Sequence, residues 1–535
     1  MPQQFYTFQV IRELNRSAKA EERTQNRLYN TFMTTRPIAY FCAEYALDSD
    51  LPIYAGGLGI LAGDYLKEAA DQKFPLVAIG LFYDFNNSAK IDPMFQVEVP
   101  IQDKNIKARV FKYMAGSIPV YLLNTNLEEN DSNDRQITHK LYVADKETRL
   151  KQELVLGIGG LRALKTLDIH PTAYHLNEGH SAFLILELIR QEMMERKIGF
   201  EEAISIAREQ IIFTNHTLVA AGREVYSNDL VSLVLMGFAQ EMGVPVTEVV
   251  RLGLVQESSV FSMTMLSLRM AGRINVVSKL HAQKAAEIWT DHSMIPITNG
   301  IYLKSWDKVG DNFVEGHQKQ KQKLLNDLGW DSNCLILGWA RRFVEYKRPL
   351  AILENLDRFM AIARNFQFPV KIIFSGEPHE SDIRGKELLL ALQELIKNKI
   401  GDIAVYLPNY NMEIAKNLVS GCDVWLNTPV VGFEACGTSG MKAALNGVLP
   451  CSIRDGWVDE AELYKVGWIL DNDHLSENIL DVLERDIVPM YYQKPLIWKE
   501  HMQNARSMVK NQYSTTRMLR EYEERFYKPL GVSRT

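Results

Sequence analysis

Ten short runs of β-branched and aromatic residues, each closed by a polar or glycine turn and followed by helical spacing, constrain this chain more than any other feature. Apolar runs of that length read as strands, and their alternation with helices reads as parallel α/β units. In the first half the candidate strands are Pro37–Tyr45, Phe74–Tyr83, Thr172–Asn177, Gln210–His216 and Arg273–Ser278. In the second they are Cys334–Arg342, Val370–Gly376, Asp402–Pro408, Cys422–Pro429 and Val448–Ile453. Both halves read as doubly wound sheets. Between them Asp307–Trp330 is polar, then helical, and carries no core strand. The 535 residues are more than one core usually serves, so two domains are expected, 1–306 and 307–535. From Glu484 to Tyr527 aromatic and charged residues at helical spacing predict one or two helices, lying outside or packed back on the first domain.

A net charge of −6 argues against a general grip on nucleic acid or an anionic membrane, so any anion site must be local. Cys42, Cys334, Cys422, Cys436 and Cys451 are scattered, odd in number and without a C-x-x-C pair, which suggests buried reduced thiols rather than a disulfide framework or a zinc site. The N-terminus lacks a basic segment followed by a long apolar run, and Val231–Ala239 is too short to span a bilayer. A cytoplasmic protein is expected.

Ligands of open parallel sheets sit at the carboxyl ends of strands, where helix N-termini and glycine turns offer N–H groups to anions. Motifs are therefore sought just after strands. In YAGGLGILAGDYLKEA, Gly56, Gly57 and Gly59 bring an unhindered backbone to a helix start that can cradle a phosphate. Gly57, Gly59 and Ala62 also match a dinucleotide fingerprint, with Asp84 where a ribose-binding acid would stand. The preceding strand ends near Tyr45, however, and the glycines do not follow it directly.

RRFVEYKR, residues 341–348, sets four basic groups after a strand. Cations at a helix start oppose its dipole and ask for an anion; the plain alternative is a solvated helix N-terminus. NTPVVGFEACGTSGMKAALNG describes a loop whose backbone approaches a ligand, leading into a helix expected near Gly440. Lys442 in the first turn is either surface decoration or a group used chemically, for instance as an imine with a cofactor aldehyde. The turns HLNEGHSAF, FTNHTLVAAG and ITNGIYLKSW offer Asn, His and Glu at strand ends, as hydroxyl-rich ligands require. His175, Glu178 and His180 lack HExxH spacing and an evident third metal ligand.

In this order, these segments resemble the glycogen, starch and maltodextrin phosphorylases, in particular their shorter bacterial branch. The likeness runs from about Pro37 to about Glu460 and is most specific in EACGTSGMKAALNG with RRFVEYKR upstream. It implies the GT-B architecture, two Rossmann-like domains facing across a cleft. It implies pyridoxal 5′-phosphate held by Lys442 as a Schiff base and working through its phosphate. Arg341, Thr438, Gly56 and Gly57 would lie near that phosphate, with Tyr410 and Trp306 lining the ring. Arg342 and Lys347 would hold the substrate phosphate. His216 and Asn299 would contact the glucosyl unit, and Glu434, Cys436 and Gly437, with Gly57, would complete its site. Glu178 and His180 match a loop near that family's active site, without an assigned role.

The implied reaction is reversible phosphorolysis of α-1,4-linked glucosyl units to α-D-glucose 1-phosphate, with retention and no protein carboxylate pair. The implied partners are an α-glucan (glycogen, starch or maltodextrin), inorganic phosphate and, in a homodimer, a second copy. Asn411 and Cys436 depart from the pattern of the family's long members as tolerated differences, whereas Tyr302 and the segment Arg223–Asp229 depart near the implied glucan channel, which bears on chain-length preference more than on chemistry. The few dozen residues before the first strand leave little room for an effector region, so control of that type is not expected. The rival readings are a nucleotide-sugar glucosyltransferase of the same fold, a glucan-binding relative without turnover and, last, an oxidoreductase.

Overall fold

The computed structural model describes residues 36–218, 224–255, 259–330 and 334–531. The N-terminal stretch on which the expectation about effector control falls, residues 219–222 of the FTNHTLVAAG turn, and Arg223 of the atypical segment lie outside the described residues. The chain forms two compact units. Among the described residues the first comprises 36–213, Glu224–Arg273 and the chain from Tyr522, and the second comprises 214–218 and Ile274–Glu521.

In the first unit β1 (Ile38–Phe41), β2 (Leu76–Leu81), β3 (Pro93–Ile101), β4 (Lys104–Ala115), β5 (Ile118–Asn124), β6 (Ala173–Asn177) and β7 (Ile211–Asn215) run in the order β7-β6-β1-β2-β5-β4-β3. The pairs β1/β2, β1/β6 and β2/β5 are parallel, whereas β3/β4 and β4/β5 are antiparallel. The parallel strands are covered on both faces, which is why β2 reads LVAIGL without alternation, every residue buried. In β4, by contrast, Ile106, Ala108 and Val110 are buried while the residues between them are not. That period of two marks a ribbon with one wet face, and a search for continuous apolar runs passes over it. A small antiparallel ribbon joins β8 (Val225–Ser227) to β9 (Val260–Ser262). The C-terminal residues complete this unit: the buried Tyr527 hydroxyl lies 2.7 Å from the Tyr65 hydroxyl and 2.7 Å from His175 Nδ1.

In the second unit β10 (Arg273–Val276) pairs in parallel with β11 (Ile295–Pro296). The strands β12 (Leu335–Ala340), β13 (Val370–Ser375), β14 (Ala404–Leu407), β15 (Val424–Asn427), β16 (Leu449–Ile453) and β17 (Trp468–Leu470) form a sheet of order β14-β13-β12-β15-β16-β17. Its recorded pairings are all parallel. The chain is thus α/β with parallel sheets, and all ten expected strands are present, with β3–β5, β8, β9, β11 and β17 in addition. The division after Arg273 precedes the expected boundary at Asp307. Long-range hydrogen bonds account for it: Ser278 Oγ donates to Ala435 O at 2.7 Å and Asn446 Nδ2 to Trp306 O at 2.8 Å, and sequence composition records neither.

Beneath this sheet Lys321 and Asp423 form a buried ion pair, Nζ to Oδ2 2.5 Å, with further bonds from Nζ to Cys334 O and Tyr491 Oη, both at 2.6 Å. Ile336 N donates to Asp423 Oδ2 at 2.7 Å. Asp423→Ala strands a buried ammonium and is expected to cost about 3–5 kcal/mol. The measurement is the denaturant midpoint at unchanged slope; a loss under about 1 kcal/mol means that the carbonyl and phenol satisfy Lys321 without the carboxylate.

Candidate active site

The candidate site is assembled from loops that follow β12, β15 and β16. Arg341 leaves β12 with its N–H bonded to Ser375 O at 3.1 Å. A Cβ on Gly376, whose φ is +124°, would stand 1.9 Å from Arg341 O, so only glycine lets the two strand ends approach this closely. The RRFVEYKR segment does not open an α-helix as expected. It forms one 3₁₀ turn, Glu345–Lys347, and ends at Arg348 with φ +45°. The Arg348 side chain explains the stop: its Nε donates to Thr428 O at 2.9 Å, and Nη2 reaches Pro429 O and Asn472 Oδ1, locking this loop to the end of β15.

Two of the cations meet the sugar-loop acid. Lys347 Nζ donates to Glu434 Oε2 at 2.9 Å, and Arg341 Nη1 lies 3.6 Å from the same oxygen. Burial pushes the Glu434 carboxyl up, but Lys347 and Arg341 more than offset it and hold it below the usual range. Burial pulls Lys347 down despite Glu434, with Arg341 and Arg342 adding to the effect. Arg341 is also pulled down by burial, and its Nε is buried without a hydrogen-bond partner. Tyr410 lies close enough to act on Arg341 electrostatically. Arg342, one residue on, is exposed. A buried orphan donor beside an excess of cations is the signature of a site built for an anion.

Lys442 is not in the first turn of its helix, as expected, but in the last. The helix spans Thr438–Leu445 and starts two residues before Gly440, because Gly437 with φ +82° serves as N-cap. The dipole therefore does not oppose this charge. Burial sets its environment instead. Lys442 is 6% exposed, with Nζ 3.4 Å from Thr438 Oγ1 and 4.2 Å from the centroid of the Trp306 ring. Asn446, unassigned in the sequence reading, ties these together by donating to Trp306 O and to Lys442 O, both at 2.8 Å.

Asn299 is buried with its Oδ1 unpartnered, and its backbone lies within hydrogen-bonding reach of the Cys436 thiol. Arg517 Nη2 holds this segment through Thr298 O at 2.6 Å and Asn299 O at 3.2 Å. His216 is half-buried just past β7. Asn411 caps the helix Met412–Gly421 by accepting from Glu413 N and Ile414 N. That accounts for its presence beside Tyr410. Cys42, Cys334, Cys422, Cys436 and Cys451 are all buried and free of disulfides.

The glycine turn belongs to the first unit. Gly56 caps the helix Gly57–Asp71, but its N–H is already given to Glu44 Oε2 at 3.0 Å, beside Ala55 N at 2.6 Å. Tyr142 donates to the other oxygen of Glu44 at 2.8 Å. No protein atom lies within 4 Å of where a Cβ on Gly57 would stand, so packing within the chain does not call for glycine there. Asp84, the acid of the dinucleotide reading, is engaged by His139 Nδ1 at 2.6 Å and Asn126 Nδ2 at 2.8 Å. Glu178 adopts φ +72° and accepts from Gly179 N. Burial, with Arg149 adding to it, pushes His180 down to about 3, so its ring is neutral at physiological pH. Among the described residues no group of three or more His, Cys, Asp or Glu could hold a metal ion, and no helix is long and apolar enough to cross a membrane.

Comparison with known proteins identifies the family. The family model described as carbohydrate phosphorylase matches residues 124–310 and 326–463. The chain is 36% identical to the maltodextrin phosphorylase of Thermococcus litoralis, over 92% of this chain and 70% of that one. It is 30% identical to the glycogen phosphorylase of Aquifex aeolicus, over 94% of this chain and 88% of that protein. It is 32% identical to the glycogen phosphorylase of Mycobacterium tuberculosis, over 93% and 71%.

Proposed function

The chain belongs to the carbohydrate phosphorylase family, and from that premise we propose that it is a cytoplasmic α-glucan phosphorylase, transferring terminal α-1,4-linked glucosyl units to inorganic phosphate and back. The observation that carries the reading is the pairing of a buried lysine against an aromatic ring with a cation cluster that ends in an orphaned Arg341 Nε. Those residues of the second unit fit pyridoxal 5′-phosphate: Lys442 for its aldehyde, Trp306 and Tyr410 for its ring, and Arg341 and Thr438 for its phosphate. When bound, the cofactor supplies a second phosphate that exchanges a proton with the substrate phosphate.

The chain's own residues do the rest. Arg342 and Lys347 hold the substrate phosphate as a dianion or monoanion at the anomeric carbon, by charge-assisted bonds. That phosphate passes its proton to the glycosidic oxygen as the C1–O bond breaks, and one of its oxygens then bonds to C1 from the same face. Asn299, His216, Cys436 and Gly437 orient the sugar with Glu434, whose carboxylate is ionised and hydrogen-bonded and therefore binds hydroxyls rather than acting as the acid. A homodimer and a cytoplasmic location extend the same reading. The buried free thiols support the second.

The test is direct. Purified protein is expected to absorb in the near-ultraviolet as a pyridoxal adduct and to form glucose 1-phosphate from maltodextrin and phosphate. A colourless protein active with a nucleotide sugar would overturn the reading; a coloured, inert one would point to a glucan-binding relative.

A further inference from the structure

Asp455 lies just after β16 and is 1% exposed. Its Oδ2 accepts from Gly432 N and from Glu434 N, both at 3.0 Å, and its Oδ1 accepts from Gly456 N at 2.8 Å. Two more bonds hold the same loop: Trp457 N donates to Cys436 O at 3.0 Å, and Ser278 Oγ donates to Ala435 O at 2.7 Å. Gly456 has φ +55°, and a Cβ there would stand 2.3 Å from Cys436 O, so the approach of residues 455–457 to the loop depends on glycine. Every residue from Glu434 to Cys436 is thus anchored by its backbone.

An acid in this place is costly. Burial, with the charge of Glu434 adding to it, pushes Asp455 up to about 6 although the loop N–H groups pull the other way. Asparagine has the same shape and no charge, but it has one oxygen for three N–H groups, and its NH₂ would face a donor. The position therefore selects a carboxylate for its two acceptors, and what those acceptors hold is the peptide that carries Glu434.

We propose that Asp455 is a positioning residue for the glucosyl site: its carboxylate holds the Gly432–Cys436 backbone so that Glu434, already fixed at one oxygen by Lys347, presents its carboxylate to sugar hydroxyls. The inference rests on the functional reading above. It does not make Asp455 a participant in the chemistry.

The experiment is steady-state kinetics of the holoenzyme in the synthetic direction, with glucose 1-phosphate varied, for wild type and Asp455→Asn. The variant is expected to raise KM for glucose 1-phosphate by about 10- to 100-fold, since one or two buried N–H groups lose their acceptor. kcat is expected to fall much less, and the near-ultraviolet absorption of the cofactor is expected to stay. A KM within twofold of wild type overturns the proposal, as does a fall in kcat at unchanged KM. If Asp455→Asn fails to fold, Asp455→Glu keeps both acceptors one methylene out of place, and the same two outcomes decide. A wild-type protein without phosphorylase activity sinks the functional reading instead, so the two failures are told apart.

Discussion

Lys442→Ala protein is expected to fold, to lose its near-ultraviolet absorption, and to form glucose 1-phosphate roughly 10⁴-fold more slowly or not at all, the scale seen when a group acting covalently is removed. The structure says why folding should survive. The bonds that tie this helix to Trp306 run from Asn446 to main-chain oxygens, Trp306 O and Lys442 O, and alanine keeps both. Lys442 itself is buried against the Trp306 ring, so the substitution removes a desolvated charge and leaves an apolar wall. Absorbance, far-ultraviolet circular dichroism and a coupled glucose 1-phosphate assay on one preparation separate the outcomes. A variant that stays coloured and active would remove Lys442 from the role proposed for it.

Arg342→Ala is expected to lower kcat/KM for phosphate by about 10²- to 10⁴-fold while the cofactor stays bound, because the charge lost is the substrate's partner. Burial separates this residue from its neighbour. Arg341 is 7% exposed and lies 3.6 Å from Glu434, whereas Arg342 is exposed. Removing Arg342 strands no buried partner, so stability should change by no more than about 0.5 kcal/mol. Kinetics with phosphate varied at saturating maltodextrin, together with the absorption spectrum, make the measurement. Loss of colour in this variant would mean that the two phosphate sites are not divided between Arg341 and Arg342 as proposed.

Much of this was legible before any coordinates. The ten apolar runs became strands because a strand covered on both faces has to be apolar along its length, as LILGWA in β12 is, with every residue buried. The ribbon β3–β5 escaped the same search because only one of its faces is covered, so its apolar residues alternate with polar ones. Lys442 and Glu434 stood out for their place in a glycine-rich loop after a strand. The register of the helix did not: its start at Thr438 depends on Gly437 taking a positive φ, which no propensity announces. For RRFVEYKR the charge pattern led to an anion site, which stands as a proposal, and to a helix start, which the 3₁₀ turn Glu345–Lys347 replaces. Arg348 pins that loop to carbonyls some eighty residues away in sequence, and no local pattern reports such a bond.

Asp455, Ser278, Asn446 and Glu44 illustrate the same limit. Each is an ordinary polar residue in the sequence, and each matters because its side chain meets a distant main-chain group. Hydrophobic periodicity and the need to satisfy glycine turns and strand ends are local constraints, so the sequence alone determined the α/β class, the order of the parallel strands' segments and the loop that carries Glu434 and Lys442. Which cation pairs with Glu434, which is buried with an orphaned N–H, and what holds the sugar loop in place are products of long-range packing. Those were decided by the tertiary structure, because a buried hydrogen bond or ion pair exists only where the fold brings donor and acceptor together and removes the water between them.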